Sequence, residues 1–473
     1  MITTLTPLCL PFLIGFLSSF LFIKNTKLNH QALLMTALAI PVGFGIVSLV
    51  LFWSYAIGGV NAPKLGFALI WFLFAALTLR TVTFVCRTKI SIYWKRVPNL
   101  KSINWIQTSL VIAGTTFFLY CLWRYLEYFA AETTYNPFGG WDARYMWNIK
   151  ARFYTRVPEF WADMFLHPKP WWTLPDYPHL LPGSVAWGWL WLGRESLGWP
   201  AVIGLSFFLS TVALVAWFLW SQRSFFLAIA GASFLISIPA FQFWSTTQYA
   251  DIPLCFFITS ATLVTMVGLE NQCVRTSVLG GFLTGLAAWT KNEGIPFFVI
   301  CGLLFVIHLW SRKIKNRKVL LAAFLIAAAA PILTVVYLKS QLGGAGIYIG
   351  SPRGFSDYWK LISDPNRIVF ILGAFLAFAQ TADWLHLWQL GTVATLIFVS
   401  LKLLQKPTSQ SLHFPLSIIA LMLIGYFGIY LITPIELKFH IRYTMGRLLL
   451  HVGVLMFVIV FETLPDSITH KLR

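Results

Sequence analysis

The chain has 473 residues, a formal net charge of +19 and a mean hydropathy of +0.74, with 58% of residues hydrophobic and 11% charged. That balance excludes a soluble globular domain of this size. The basic excess does not point to nucleic acid, because it falls mainly in short loops between apolar runs, where membrane proteins keep their cytoplasmic cations or hold anionic lipid headgroups. The runs are continuous rather than alternating and long enough to cross ~30 Å of hydrocarbon, which excludes a β-barrel and predicts an all-α polytopic membrane protein.

In chain order, the expected spans are residues 5–23, 31–53, 65–85, 103–125, 199–220, 225–243, 252–269, 277–290, 295–310, 319–338, 384–403, 413–432 and 443–462, thirteen in all. The first lacks a basic leader and a small-residue cleavage site, so it reads as a retained span rather than a signal peptide. Residues 181–193 and 367–381 are apolar but short or awkwardly placed, and read as interfacial or re-entrant helices. Cys9, Cys86, Cys121, Cys255, Cys273 and Cys301 form no CxxC pair. They read as small core residues rather than a disulfide framework or a zinc site.

Two basic segments orient the chain. One carries Arg87, Lys89, Lys95, Arg96 and Lys101; the other, SRKIKNRK, carries Arg312, Lys313, Lys315, Arg317 and Lys318. With both cytoplasmic, residues 126–198, 244–251, 291–294, 339–366 and 433–442 fall on the opposite face, with the N-terminus outside and the C-terminus inside. The ionisable residues least expected in a membrane protein then share that outer face: Asp142, Asp176, Asp251, Lys291, Glu293 and Arg442. Such residues are costly at span ends unless they meet water, a partner or a ligand, so a shared cavity is expected. The glycines of the 339–366 loop, Gly343, Gly344, Gly346, Gly350 and Gly354, suit either a lid or a plain connector.

The segment from Gly139 to Gly183 is the most polar of the long loops and combines carboxylates, arginines and tryptophans. Asp142 precedes the helical-looking stretch RYMWNIKARF; it reads either as a helix cap or as a general base taking a proton from a hydroxyl. Trp141 offers an aromatic face to a sugar ring, and Tyr145 lies in the same motif. Arg144, Lys150, Arg152 and Arg156 are spaced through the same stretch, and one of them is expected to reach a phosphate. Asp176, Tyr177, Pro178 and His179 form a rigid turn that would position a substrate, ahead of the interfacial-looking Trp187, Trp189 and Trp191. Downstream, Lys291, Asn292 and Glu293 interrupt one apolar helix, a break tolerated where it lines a cavity. Arg442 and Arg447 begin the last span and need anionic partners. No HExxH or His-x-His pattern supports a metal.

In this order the motifs resemble those of the bacterial GT-C integral-membrane glycosyltransferases, in particular the family-39-like group that contains protein O-mannosyltransferases and lipid A aminoarabinose transferases. The residues carrying the resemblance are Trp141-Asp142-Ala143-Arg144-Tyr145, Asp176 to Pro182, Asp251, Thr290-Lys291, and Arg442 with Arg447 beyond. It covers about residues 103–462, with spans 1–102 before it and a cytoplasmic tail, 463–473, after it. Those relatives often open the loop with an Asp-Glu pair, where this chain has Trp141-Asp142. The resemblance implies an enzyme of the inner membrane that takes a sugar from a polyprenyl-phosphate donor on the outer face, with inversion. Asp142 is then the base, and Arg442 with Lys291 or Arg447 binds phosphate; a divalent metal is used by some members and not others. A transporter or flippase of a lipid-linked sugar, a ligase or polymerase on the same fold, and a non-catalytic assembly subunit are the competing expectations.

Overall fold

The computed structural model describes residues 5–24, 26, 28–88, 105–166, 173–342, 355–403 and 412–463. Over these residues the chain is helical and contains no strand. We number the principal helices α1 (Cys9–Ile23), α2 (Gln31–Gly58), α3 (Ala62–Thr88), α4 (Trp105–Tyr135), α5 (Asn148–Arg156), α6 (Leu180–Leu192), α7 (Gly198–Gln222), α8 (Phe225–Ile236), α9 (Pro239–Thr246), α10 (Asp251–Asn271), α11 (Val274–Thr290), α12 (Gly294–Ser311), α13 (Arg317–Ser340), α14 (Phe355–Ile362), α15 (Pro365–Ala379), α16 (Leu387–Leu403), α17 (His413–Ile432) and α18 (Leu437–Glu462).

Among the described residues, nine helices are long and apolar enough to cross a membrane, or up to eleven if each of two bent pairs is one span. The longest of the nine, 31–87, is α2 and α3 together. These fold back on each other: Gly66 lies against Leu51 and Ser54, and Phe84 packs on Phe20 at 6.0 Å. Where they are described, the thirteen apolar runs fall mainly on helix, and α11 and α16 have 17 residues apiece.

Three local expectations change. The run 225–243 is two helices, α8 and α9, bent by 63°. Pro239 opens α9 and Ile238 before it is extended, because proline has no N–H to continue the ladder and crowds the preceding residue out of helical geometry. The α4 helix continues to Tyr135, ten residues past the expected boundary at 125, which carries it about 15 Å further. The α6 helix, expected to be interfacial or re-entrant, is buried within the bundle from Leu180 to Trp189. The indoles of Trp187 and Trp189 donate to the carbonyls of Pro7 and Ser196, both at 2.9 Å, so both rings serve as core with satisfied N–H groups. Residues 367–381 fall largely on α15, which meets the span criterion only together with α14, at a 54° bend. Lys89, Lys95, Arg96, Lys101, the glycines from Gly343 to Gly354 and the tail beyond Thr463 lie outside the described residues.

Helix α10 is the centre of the bundle, buried continuously from Asp251 to Leu269. A helix apolar on every side has to be enclosed by others. Its Thr265 and Gly268 admit α11 closely, at Gly280 and Thr276 respectively, in the small-residue style of membrane helix pairs. The α1–α2 crossing is tighter still. A Cβ on Gly15 or Gly43 would collide with the carbonyl oxygen of Ala39 or Pro11, so only glycine fits.

The bundle has two distinct ends. At one, Arg275 donates to the Lys24 carbonyl at 2.7 Å, His30 stacks on Trp220 and Arg223 reaches the Glu462 carbonyl at 3.1 Å. At the other, residues 136–166 and 173–179 cover the starts of α10 and α12 and the ends of α11 and α13.

Candidate functional site

Asp251 is the first residue of α10, Lys291 follows the last residue of α11, and Glu293 precedes α12. Each charge suits its helix end, with carboxylates at N-termini and the ammonium at a C-terminus. Arg447 and His451 are four apart on α18 and therefore share a face.

These residues form one network. The Asp251 carboxylate takes Arg447 Nε and Nη2 on Oδ2 at 3.1 and 2.9 Å. On Oδ1 it takes Lys291 Nζ at 2.8 Å and His451 Nε2 at 2.9 Å. Four partners fill the acceptor positions of a carboxylate, and the side chain is wholly buried. Asp251 is thus an anchor with no lone pair left for chemistry. Lys291 also meets Glu293 at 2.8 Å.

The third nitrogen of the Arg447 fork, Nη1, lies 2.7 Å from Asp142 Oδ2. Asp142 heads the π-helical turn Ala143–Trp147 but makes no side-chain capping bond to it, which removes the helix-cap reading. Its Oδ1 has no partner among the described residues, and its side chain is 18% exposed, against 10% for Arg447. Asp142 is the wet edge of an otherwise buried network.

The loop carrying Asp142 is held on the turn after α9. Gly140 N–H donates to the Thr247 carbonyl at 3.0 Å, and Gln248 donates to the Pro137 carbonyl at 3.1 Å. Asn148 donates to Gln248 Oε1 at 3.2 Å, and Asp142 N–H to the Tyr249 hydroxyl at 3.2 Å. Burial and the Asp142 carboxylate push the Tyr249 phenol up to about 12, so it stays a neutral hydrogen-bonding group. The Tyr249 ring lies 4.8 Å from the Arg447 guanidinium, with Trp244 at 5.8 Å.

Two exposed aromatic pairs lie on the elements that carry Asp142 and Arg447. Trp141 is 52% and Tyr145 45% exposed, with ring centroids 5.1 Å apart. Phe439 and Tyr443 pack on each other at 4.6 Å, one and two turns before Arg447 on its own face of α18. Arg144 is exposed, donating to the Gly139 carbonyl at 3.2 Å. Arg442 is exposed over the Tyr443 ring at 5.9 Å. It stands outside the network, and Arg447 occupies the position expected of it.

Asp176 belongs to a neighbouring cluster. Its Oδ2 accepts from Asn292 at 2.7 Å and Lys339 at 3.3 Å, and Lys339 also binds the Asp176 carbonyl at 2.5 Å and Asn292 Oδ1 at 2.7 Å. Lys150 donates to the carbonyls of Leu174 and Tyr177 at 2.6 and 3.4 Å. Burial pushes its ammonium down to about 7, with the nearby Asp176 carboxylate opposing the shift. Tyr177 and His179 are buried rather than facing the site. His179 shares a hydrogen bond with the Tyr154 hydroxyl at 2.9 Å, and burial, reinforced by Lys150, holds its imidazole well below the usual range. Arg152 and Arg156 are engaged with Glu195, at 3.3 and 2.5 Å. Among the described residues, no three His, Cys, Asp or Glu side chains converge as a metal donor set.

Sequence reading placed Asp142, Asp176, Asp251, Lys291, Glu293 and Arg442 on one face; the network holds Asp142, Asp251, Lys291 and Glu293 with Arg447 in place of Arg442, and the reading left out His451, Tyr249 and Lys339. The signal for His451 was its spacing, one turn beyond Arg447 within an apolar helix. No known family profile, curated protein or solved structure matches this chain.

Proposed function

We propose that the chain is a GT-C-type membrane glycosyltransferase that moves a sugar from a polyprenyl-phosphate donor to a hydroxyl acceptor at the outer face of the inner membrane. The observation that carries the reading is Asp142: a carboxylate with one oxygen held by Arg447, the other open, at the exposed edge of a buried charge network. The exposed rim of Trp141, Tyr145, Phe439 and Tyr443 supports a ligand with both sugar and isoprenoid character. The basic segment at 311–318 lies at the far end of α12, about 27 Å along the helix from Lys291, which supports placing the site outside.

In this mechanism the acceptor oxygen attacks the anomeric carbon as the bond to the phosphate oxygen breaks. The acceptor proton passes to Asp142 Oδ1, and the phosphate leaves with the electron pair. Arg447 Nη1 can serve only one anion well. In the site that anion is Asp142, whose Oδ2 it holds so that Oδ1 stays aimed at the acceptor hydroxyl. Arg442 and Arg144, both exposed, supply further positive charge at the rim.

The test uses purified protein in lipid nanodiscs with a panel of polyprenyl-phosphate sugars, measuring release of free polyprenyl phosphate. Release by wild type and its loss in Asp142→Asn is the expected result. No release from any donor, or equal release by the variant, removes the proposal.

A further inference from the structure

We propose that His451 and Tyr426 are positioning residues for Asp142, acting through Asp251 and Arg447. The inference rests on the reading of Asp142 as the base. Neither residue can reach a ligand: the His451 side chain is fully buried and Tyr426 is 1% exposed. Yet they begin an unbroken chain of hydrogen bonds that ends at the partly exposed carboxylate of Asp142. The Tyr426 hydroxyl on α17 meets His451 Nδ1 at 3.2 Å. His451 Nε2 meets Asp251 Oδ1 at 2.9 Å. Asp251 Oδ2 holds the Arg447 fork, and the fork's free nitrogen holds Asp142.

The division of partners between the two Asp251 oxygens explains why the imidazole matters. Arg447 takes Oδ2 alone, while Lys291 and His451 share Oδ1. Two donors from different helices on one oxygen fix the plane of the carboxylate. That plane in turn fixes the plane of the guanidinium, because a fork pairs well only when roughly coplanar with its acceptor. Lys291 is a point charge on a flexible stem and cannot define a plane by itself. Removing His451 would let the Asp251 carboxylate turn, the Arg447 fork follow, and the open oxygen of Asp142 leave its aim. Tyr426 does for the imidazole what the imidazole does for Asp251, in the manner of an outer partner that orients an inner ligand.

The experiment compares His451→Phe, which keeps a flat ring but loses the donor, with His451→Gln, which restores an N–H at similar reach, and with Tyr426→Phe. In the nanodisc transfer assay, His451→Phe should lower kcat by roughly 10–100-fold, the range typical of lost outer-shell partners, with little change in donor KM. His451→Gln should recover most of the loss, and Tyr426→Phe should lose less than His451→Phe. A second arm needs no activity. Melting temperatures of Asp142→Asn, His451→Phe and the double variant should not add, although these two side chains do not touch, because residues in one hydrogen-bond network couple. Additive shifts, or equal kcat losses for Phe and Gln at position 451, would overturn the proposal. If wild type transfers no sugar, the glycosyltransferase reading fails while the melting cycle still decides the coupling. If His451→Phe does not fold, His451→Gln and Tyr426→Phe, each paired with Asp142→Asn, complete the cycle.

Discussion

Lys291 and Asp251 meet at 2.8 Å with side chains 4% and 0% exposed, joining the end of one helix to the start of the helix before it. A buried pair is most costly when half of it is removed, because the partner charge is left without compensation. Asp251→Ala takes from Lys291 and Arg447 the buried carboxylate they share, leaving each a single acidic partner. It should cost about 3–5 kcal/mol, read as an early thermal transition in lipid or detergent. An unchanged transition would show that water reaches the network.

Asp142→Asn should behave in the opposite way. The side chain caps nothing, and an amide oxygen can still accept from Arg447. Melting should shift far less than in Asp251→Ala, while transfer falls by about 10²–10⁴-fold, the usual contribution of a positioned base. Turnover near that of wild type would move the search for a base to Glu293, which also lies at the edge of the network.

Arg447 and Arg442 should separate cleanly. Arg447→Lys keeps the charge but cannot hold Asp251 and Asp142 together, so kcat should fall and stability with it. Arg442→Ala removes an exposed cation whose described contact is the Tyr443 ring. Donor KM should rise with melting unchanged. Equal effects of the two substitutions on stability would contradict this division.

Lys150 predicts a pH dependence of stability. Its folded pKa lies at about 7, below the ordinary lysine value of 10.5. Between those values the unfolded chain binds more protons than the folded one, so stability rises with pH across that window. Lys150→Met should flatten this rise, measured as melting temperature between about pH 7 and pH 10. A slope identical to that of wild type would mean that the ammonium is better solvated than its burial implies.

Gly294 opens α12 directly after the Lys291–Glu293 break. A Cβ there would collide with the Ala287 carbonyl of α11. Gly294→Ala should therefore push α12 from α11, costing about 1–3 kcal/mol by overpacking, and displace Lys291 from Asp251. Both melting and transfer should suffer; a stable but inactive variant would localise the strain to the break alone.

Much of the fold was legible because the bilayer imposes length and polarity on each helix. The bend at Pro239 was missed because hydropathy averages over a proline that direction does not ignore. The buried face of α6 was missed for a related reason. Trp187 and Trp189 look interfacial in sequence, and only their indole partners, Pro7 and Ser196, place them in the core. In the site, charges were legible because each is expensive in an apolar chain. His451 and Tyr426 were not, since each is ordinary in a helix until the partner is known. Arg442 was favoured over Arg447 by its position near the outer end of the span, but helical phase, not depth, decides which arginine faces α10.

The network also sets a schedule for biogenesis. Asp251 and Arg447 are 196 residues apart, and chains emerge at about 5–20 residues per second. For roughly 10–40 s the α10 helix waits for its arginine. Lys291, only 40 residues downstream, arrives within about 2–8 s and can shield Asp251 in the meantime. A chain interrupted before α18 would retain a half-neutralised carboxylate in its central helix. Such truncated products should be marked for the quality-control proteases of the membrane by that unmet charge, with no exposed soluble segment required.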